Sequence, residues 1–229
     1  MYNYDRFSTK FFDFSKFTGP KRGQSVSDFL LTTIDGREVK LSDYKGRKII
    51  LETGSTTCPM YVKNINPMNE LAKKFPEVKF VVLYVREAHP GGKIKGHRNY
   101  DEKLKCATDL IIAENEHREI LIDNLEGMLH SELGLLPDML YVLDEEGRVV
   151  FRSSWNEPKL VQDFLHQKLD PKELEVDIRE PSKPNPLQII RTTARGGFIS
   201  FWDLILSLPK LILMHREVQK KLKNEKHLN

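Results

Sequence analysis

Cys58, at the junction between an apolar run and a helical pattern, is the side chain in this sequence best placed to act as a nucleophile. It sits in Gly54-Ser55-Thr56-Thr57-Cys58-Pro59, after Lys48-Ile49-Ile50-Leu51-Glu52-Thr53, and before a segment (60–74) with apolar positions at Val62, Ile65 and Leu71. A thiol between a strand end and a helix start meets free backbone N–H groups and the positive end of the helix dipole. Such a setting can bring a cysteine pKa from about 8.5 to about 7 or below. The plainer alternative is a small buried thiol in a turn. A second group follows the next apolar run: Tyr84, Glu87 and His89, then His97-Arg98. Glu87 and His89 are two apart and share a face if the strand continues that far. They would emerge at a strand's C-terminal end, where open α/β sheets bind ligands. A histidine there can deliver a proton to a leaving group or a substrate carbon. Each has a plainer role too: Tyr84 as core with a satisfied hydroxyl, Glu87 as a solvated strand-end charge, His89 and His97 as surface residues.

The elements that must position these residues are legible. Residues 28–41 read as a hairpin around Asp35-Gly36, and Lys48 to Thr53 as the strand before Cys58. Val78-Lys-Phe-Val-Val-Leu-Tyr-Val85 suits a strand buried on both faces. Helical stretches are expected at 100–114, 125–133 and 158–168, a short strand at 119–123, and a second hairpin around Glu146-Gly147. Strands interleaved with helices and closed by a hairpin predict a mixed α/β sheet covered by helices.

Residues 1–24, with five phenylalanines, form an arm expected to pack on the domain (25–170). Residues 171–229 begin with a proline-rich linker, Glu180-Pro-Ser-Lys-Pro-Asn-Pro186. An apolar segment (198–214) follows, interrupted by Asp203, Pro209 and Lys210, then a basic tail. This segment either docks on the domain or a second copy of it, or lies at a membrane surface anchored by Trp202 and the tail; a clean span needs roughly 20 apolar residues.

A net charge of +3 with alternating signs argues against nucleic-acid binding. Two cysteines in 229 residues do not make a disulfide framework and fit a reducing compartment. The N-terminus has no uninterrupted apolar h-region, so a cytoplasmic address is expected, peripheral to a membrane if the tail meets lipid. No histidine falls in His-x-x-x-His spacing and Cys-x-x-Cys is absent, so no metal site is expected. Tyr61 stands where dithiol exchange enzymes carry their second cysteine, and Ser55 and Leu51 stand where peroxiredoxins have threonine and proline.

The element order, the placement of Cys58, and Leu136-Pro137 before the last hairpin resemble the thioredoxin fold, in which a cis-proline faces the active-site cysteine; Pro137 is the matching position. More specifically, Gly54-Ser-Thr-Thr-Cys-Pro59 and Tyr84-Val-Arg-Glu-Ala-His89 resemble the Gly-Ser-Cys-Thr-Sec-Pro and Tyr-Ile-Glu-Glu-Ala-His runs of the iodothyronine deiodinase family, over roughly residues 28–165. The resemblance implies Cys58 in place of selenocysteine, with Ser55 and Thr57 as hydroxyls beside it. Tyr84, Glu87, His89 and His97 would form a proton-transfer or substrate-clamping network. Thr56 replaces the cysteine two before the catalytic position, and Met139 replaces an arginine implicated in holding the iodothyronine amino-acid end.

The resulting expectation is a single-cysteine oxidoreductase. Cys58 attacks a soft electrophile (aryl halide, peroxide or disulfide), His89 oriented by Glu87 handles the proton, and an external thiol regenerates the enzyme with no bound cofactor. A thiol peroxidase and a non-catalytic redox sensor or targeting module are the alternatives. Cys106 is a candidate resolving thiol, although Leu104, Ala107 and Ile111 beside it suggest a packed helix face. A homodimer through the arm or tail is an option that the resemblance raises.

Overall fold

The computed structural model describes residues 2–228. Seven strands form one mixed sheet: β1 (Leu31–Thr33), β2 (Glu38–Val39), β3 (Ile49–Gly54), β4 (Lys79–Tyr84), β5 (Glu119–Ile122), β6 (Leu140–Leu143) and β7 (Val149–Ser153). Their order is β2-β1-β5-β4-β3-β6-β7. The three central strands β3, β4 and β5 are parallel, and hairpin-type antiparallel strands flank them on both sides. The helices are α1 (Pro59–Lys74), α2 (Tyr100–Glu114), α3 (Met128–Leu133), α4 (Pro158–Leu165), α5 (Pro171–Leu174), α6 (Pro186–Arg195) and α7 (Phe198–Leu228). Both expected hairpins form, with Gly36 and Gly147 taking the positive φ that their turns need.

All six residues of β3 are buried, as a central parallel strand requires. The two-residue period divides its side chains between two core layers. Ile50, Phe80 and Val82 point to the side carrying Tyr61, Ile65 and Met68 of α1, Ala107 and Leu110 of α2, and Val161 of α4. Ile49, Leu51, Val81 and Leu83 point to the other side. There the body supplies the short α3, through Leu129 and Leu133, together with Leu41, Leu136 and Trp155. The chain termini complete this layer. Phe14 and Phe17 of the arm are buried in it, and Leu211, Met214 and Val218 of α7 pack against it. Each fully buried phenylalanine contributes about 1.5–3 kcal/mol of apolar transfer.

The arm is anchored by a cation. Arg86, in the loop after β4, is buried with its guanidinium 5.1 Å from the ring centres of both Tyr2 and Tyr4 and 5.7 Å from that of Phe12. It also donates to the Tyr2 carbonyl at 3.0 Å. Arm and tail meet through Arg6 and Asp203, which form an ion pair with Asp203 nearly buried.

Candidate functional site

Cys58 is the N-cap of α1, with Pro59 at the first helical position. The N–H groups of Met60 and Tyr61 point at the thiol and lower its pKa, as the sequence position implies. Burial outweighs them. The residue is 1% exposed, and desolvation, with the Asp138 carboxyl adding to it, pushes the thiol well above its ordinary value. The expectation of a thiol poised near 7 is therefore overturned for this closed arrangement: the helix terminus is present, but no solvent reaches the sulfur.

A buried carboxylate organises the surroundings. Glu87 accepts the Thr57 hydroxyl at 2.6 Å and the Thr57 N–H at 3.1 Å, both on Oε2, and the Tyr84 hydroxyl on Oε1. Nε2 of His97 lies 3.2 Å from Oε1. Burial pushes the carboxyl up, but His97, Thr57 and Tyr84 together overcome this and hold it below the usual glutamate value. Tyr84 also accepts the Thr56 N–H at 3.2 Å, and Ser55 Oγ accepts the Ala88 N–H at 3.2 Å. Thus Thr57, Tyr84, Glu87 and His97 cluster around the loop that carries Cys58, and Ser55, also expected at the site, joins that loop to the one after β4 through Ala88.

His89 departs from its expected role. β4 ends at Tyr84, so the two-residue alternation that would align Glu87 with His89 no longer applies. Glu87 turns toward Thr57, while the His89 ring packs at 4.2 Å, centre to centre, against Phe7 of the arm. Its Nδ1 is buried without a hydrogen-bond partner, and burial lowers its pKa to about 4, against the charge of Glu87. The histidine brought against Glu87 is His97, whose Nε2 lies 3.2 Å from the carboxylate without hydrogen-bond geometry. Pro137 also departs: among the described residues no peptide is cis, so Leu136-Pro137 is trans. Its buried segment is tied to β3 instead by Thr53, whose hydroxyl accepts the Met139 N–H at 2.7 Å.

Cys106, on α2, is a free thiol like Cys58. It faces the network: its Sγ and the ligand atoms of Glu87 and His97 all lie within 4.8 Å of one another. Burial, then the charge of Glu87, pushes it up to about 12. These three residues are a donor set that no short-range spacing encodes. Glu87 is already engaged by two hydroxyls.

Three features escaped sequence reasoning. Arg195, at the end of α6, donates to the Thr56 carbonyl at 3.1 Å and pairs with Glu114. Ser200 of α7 donates to the His89 carbonyl at 2.8 Å. The tail thus clasps both loops of the site, and nothing local in its sequence signals this. The third feature did leave a signal, a carboxylate inside an apolar strand. Glu52 is fully buried and paired with Arg118, which also binds Glu116. Beside it, Asp138 is pushed well above the ordinary aspartate value by burial and by the charge of Glu52.

Residues 4–158 match the family model of iodothyronine deiodinase. The type I iodothyronine deiodinase of Xenopus laevis is 26% identical over 141 residues, covering 57% of this chain and 55% of that protein. A probable phospholipid hydroperoxide glutathione peroxidase of Solanum lycopersicum is 30% identical over 145 residues, covering 57% of this chain and 84% of that protein. The chain spans about half the length of the curated deiodinases it matches. Among solved structures, a Chlorobium tepidum protein described as a thiol:disulfide interchange protein DsbE superposes with a TM-score of 0.52 at 16% identity, over 66% of this chain and 96% of that one. That likeness establishes the thioredoxin-like fold. With the family match extending over most of the sheet and every residue of the Glu87 network, the chain belongs to the iodothyronine deiodinase family of thioredoxin-fold oxidoreductases.

Proposed function

We propose that this protein is a single-cysteine thiol oxidoreductase in which Cys58 reduces a soft electrophile. The supporting observation is the link between the nucleophile's neighbour and the buried carboxylate: Thr57 gives both its N–H and its hydroxyl to Glu87, whose other oxygen meets Tyr84 and His97. The residue next to Cys58 thus ties the thiol's own loop to a buried carboxylate, which is where a proton released or required at the sulfur would be handled.

With an aryl halide, the thiolate attacks the halogen. The carbon–halogen bond breaks, its electron pair goes to carbon, and a proton from the network completes the C–H bond. The sulfur is left as a sulfenyl halide, which two equivalents of external thiol reduce to Cys58 thiol, disulfide and hydrogen halide. With a hydroperoxide, the thiolate takes the terminal oxygen, the alkoxide leaves with the network's proton, and the sulfenic acid is reduced by two thiols with loss of water. The relationship to a glutathione peroxidase-type protein gives the peroxide reading its own support. Met139 and Thr56 stand at the positions where the deiodinase-like reading would want arginine and a second sulfur, so iodothyronine is not proposed as the substrate.

Cys58 is 1% exposed, so reaction requires this closed arrangement to open. Turnover of an iodoaromatic and of a hydroperoxide, each with a dithiol reductant, tests the reading. Activity that is lost in Cys58→Ser and retained in Cys106→Ser supports it; equal activity in Cys58→Ser overturns it.

A further inference from the structure

α7 has two unlike long sides. One packs on the body: Ser200, Asp203, Leu204 and Val218 are buried there. With about 100° per residue, the opposite side carries Phe198, Trp202, Leu206, Pro209 and Leu213, with Phe198 and Leu206 each 73% exposed and Trp202 45% exposed. Farther along the same side the apolar residues give way to Arg216, Lys220 and Lys223, all exposed. An exposed apolar strip of this kind, running directly into a basic one, has no partner within the described residues.

We propose that this outer face of α7 docks on the surface of an anionic lipid bilayer, with the helix lying in the plane of the interface. By length and composition the helix could also cross a membrane. Crossing would strip its inner side from the core and drive the Asp203 carboxylate, now paired with Arg6, into hydrocarbon. Lying in the plane keeps that packing and buries only the side already exposed. The strip from Phe198 to Leu213 is about 24 Å long, short of the roughly 30 Å hydrocarbon core. Trp202 suits the headgroup level, and the basic end complements anionic headgroups. A second copy fits less well. A parallel pairing would oppose Arg216, Lys220 and Lys223 to their own counterparts, and an antiparallel pairing would set them against the apolar strip.

The test uses the full chain and sedimentation with vesicles of phosphatidylcholine, alone or with roughly 30% phosphatidylserine. Binding to the anionic vesicles is expected to be at least about tenfold tighter than to the neutral ones, and to weaken as salt rises from about 0.1 to about 0.5 M. Leu206→Glu should abolish it, and Lys220→Glu with Lys223→Glu should weaken it about tenfold or more, since each basic residue near the surface is worth about a factor of five. These side chains point away from the body, so unchanged circular dichroism and melting temperature certify the fold. The proposal fails if neither vesicle binds. It fails equally if binding ignores both variants, if the chain resists alkaline extraction from vesicles, or if the face instead drives a dimer that Leu206→Glu dissolves. None of these readouts depends on Cys58 being catalytic.

Discussion

Glu52 and Glu87 are both carboxylates with no solvent exposure, yet their partners are of opposite kinds. Glu52 is held by the guanidinium of Arg118 and the amide of Asn156. Its countercharge is permanent, because a guanidinium does not release its proton in a protein. Among the described residues, the hydrogen-bond donors to Glu87 are two hydroxyls and one N–H, with the His97 imidazole alongside. Every acidic proton on that list can move except the backbone one. A buried carboxylate locked by arginine has a fixed countercharge, whereas one bonded by hydroxyls beside a histidine has neighbours whose protons can move.

The largest expected effect tests the mobile member. Glu87→Gln should lower turnover by about 10²–10⁴, the usual worth of a positioned acid or base, while moving the urea midpoint less than any disruption of Glu52. Equal losses in stability for both would collapse the contrast. Arg118→Met comes next: removing one partner of a buried pair should cost about 3–5 kcal/mol in urea unfolding, with residual activity per folded molecule preserved.

A sharper test uses Asp138, whose pKa burial and the Glu52 charge push well above the ordinary aspartate value. Its folded pKa lies above its unfolded one, so between the two the unfolded state binds fewer protons and stability falls as pH rises. Asp138→Asn removes that fall. It should make the protein more stable at pH 7 than the parent, by up to about 1.4 kcal/mol for each pH unit separating the two pKa values, and leave the two alike near pH 3. Urea midpoints across that range check it. The smallest effect concerns the cover. Arg195→Ala deletes a charge-assisted bond to the Thr56 carbonyl worth about 1.5–3 kcal/mol. Alkylation of Cys58, followed by peptide mass spectrometry, should speed up about tenfold or more if that bond limits opening.

Much of this was legible beforehand, because strand periodicity and helix patterning are local signals. β3, Cys58, α1, β4 and both hairpins lie where the pattern puts them. Cys58, Thr57, Tyr84, Glu87 and His97 come together because two parallel strands end side by side, Gly54 opposite Tyr84. The failures share another cause. Aligning His89 with Glu87 requires a strand that in fact stops at Tyr84, and the setting of the thiol depends on a burial that its own loop does not encode. Arm and tail act across nearly the whole chain, Arg6 on Asp203 and Arg195 on Thr56, and no window of sequence contains both partners. A cis Leu136-Pro137 rested on likeness alone, and the backbone there is trans.

The separation of 197 residues between Arg6 and Asp203 also orders events during synthesis. The last residue of β7 is made before any residue of α6 or α7. At about 5–20 residues per second the ribosome needs several seconds to deliver them. Throughout that interval the aromatic arm has no Asp203 to hold it, and the loop carrying Cys58 has no Arg195 above it. The arm and the loop carrying Cys58 are therefore made well before the residues that clasp them.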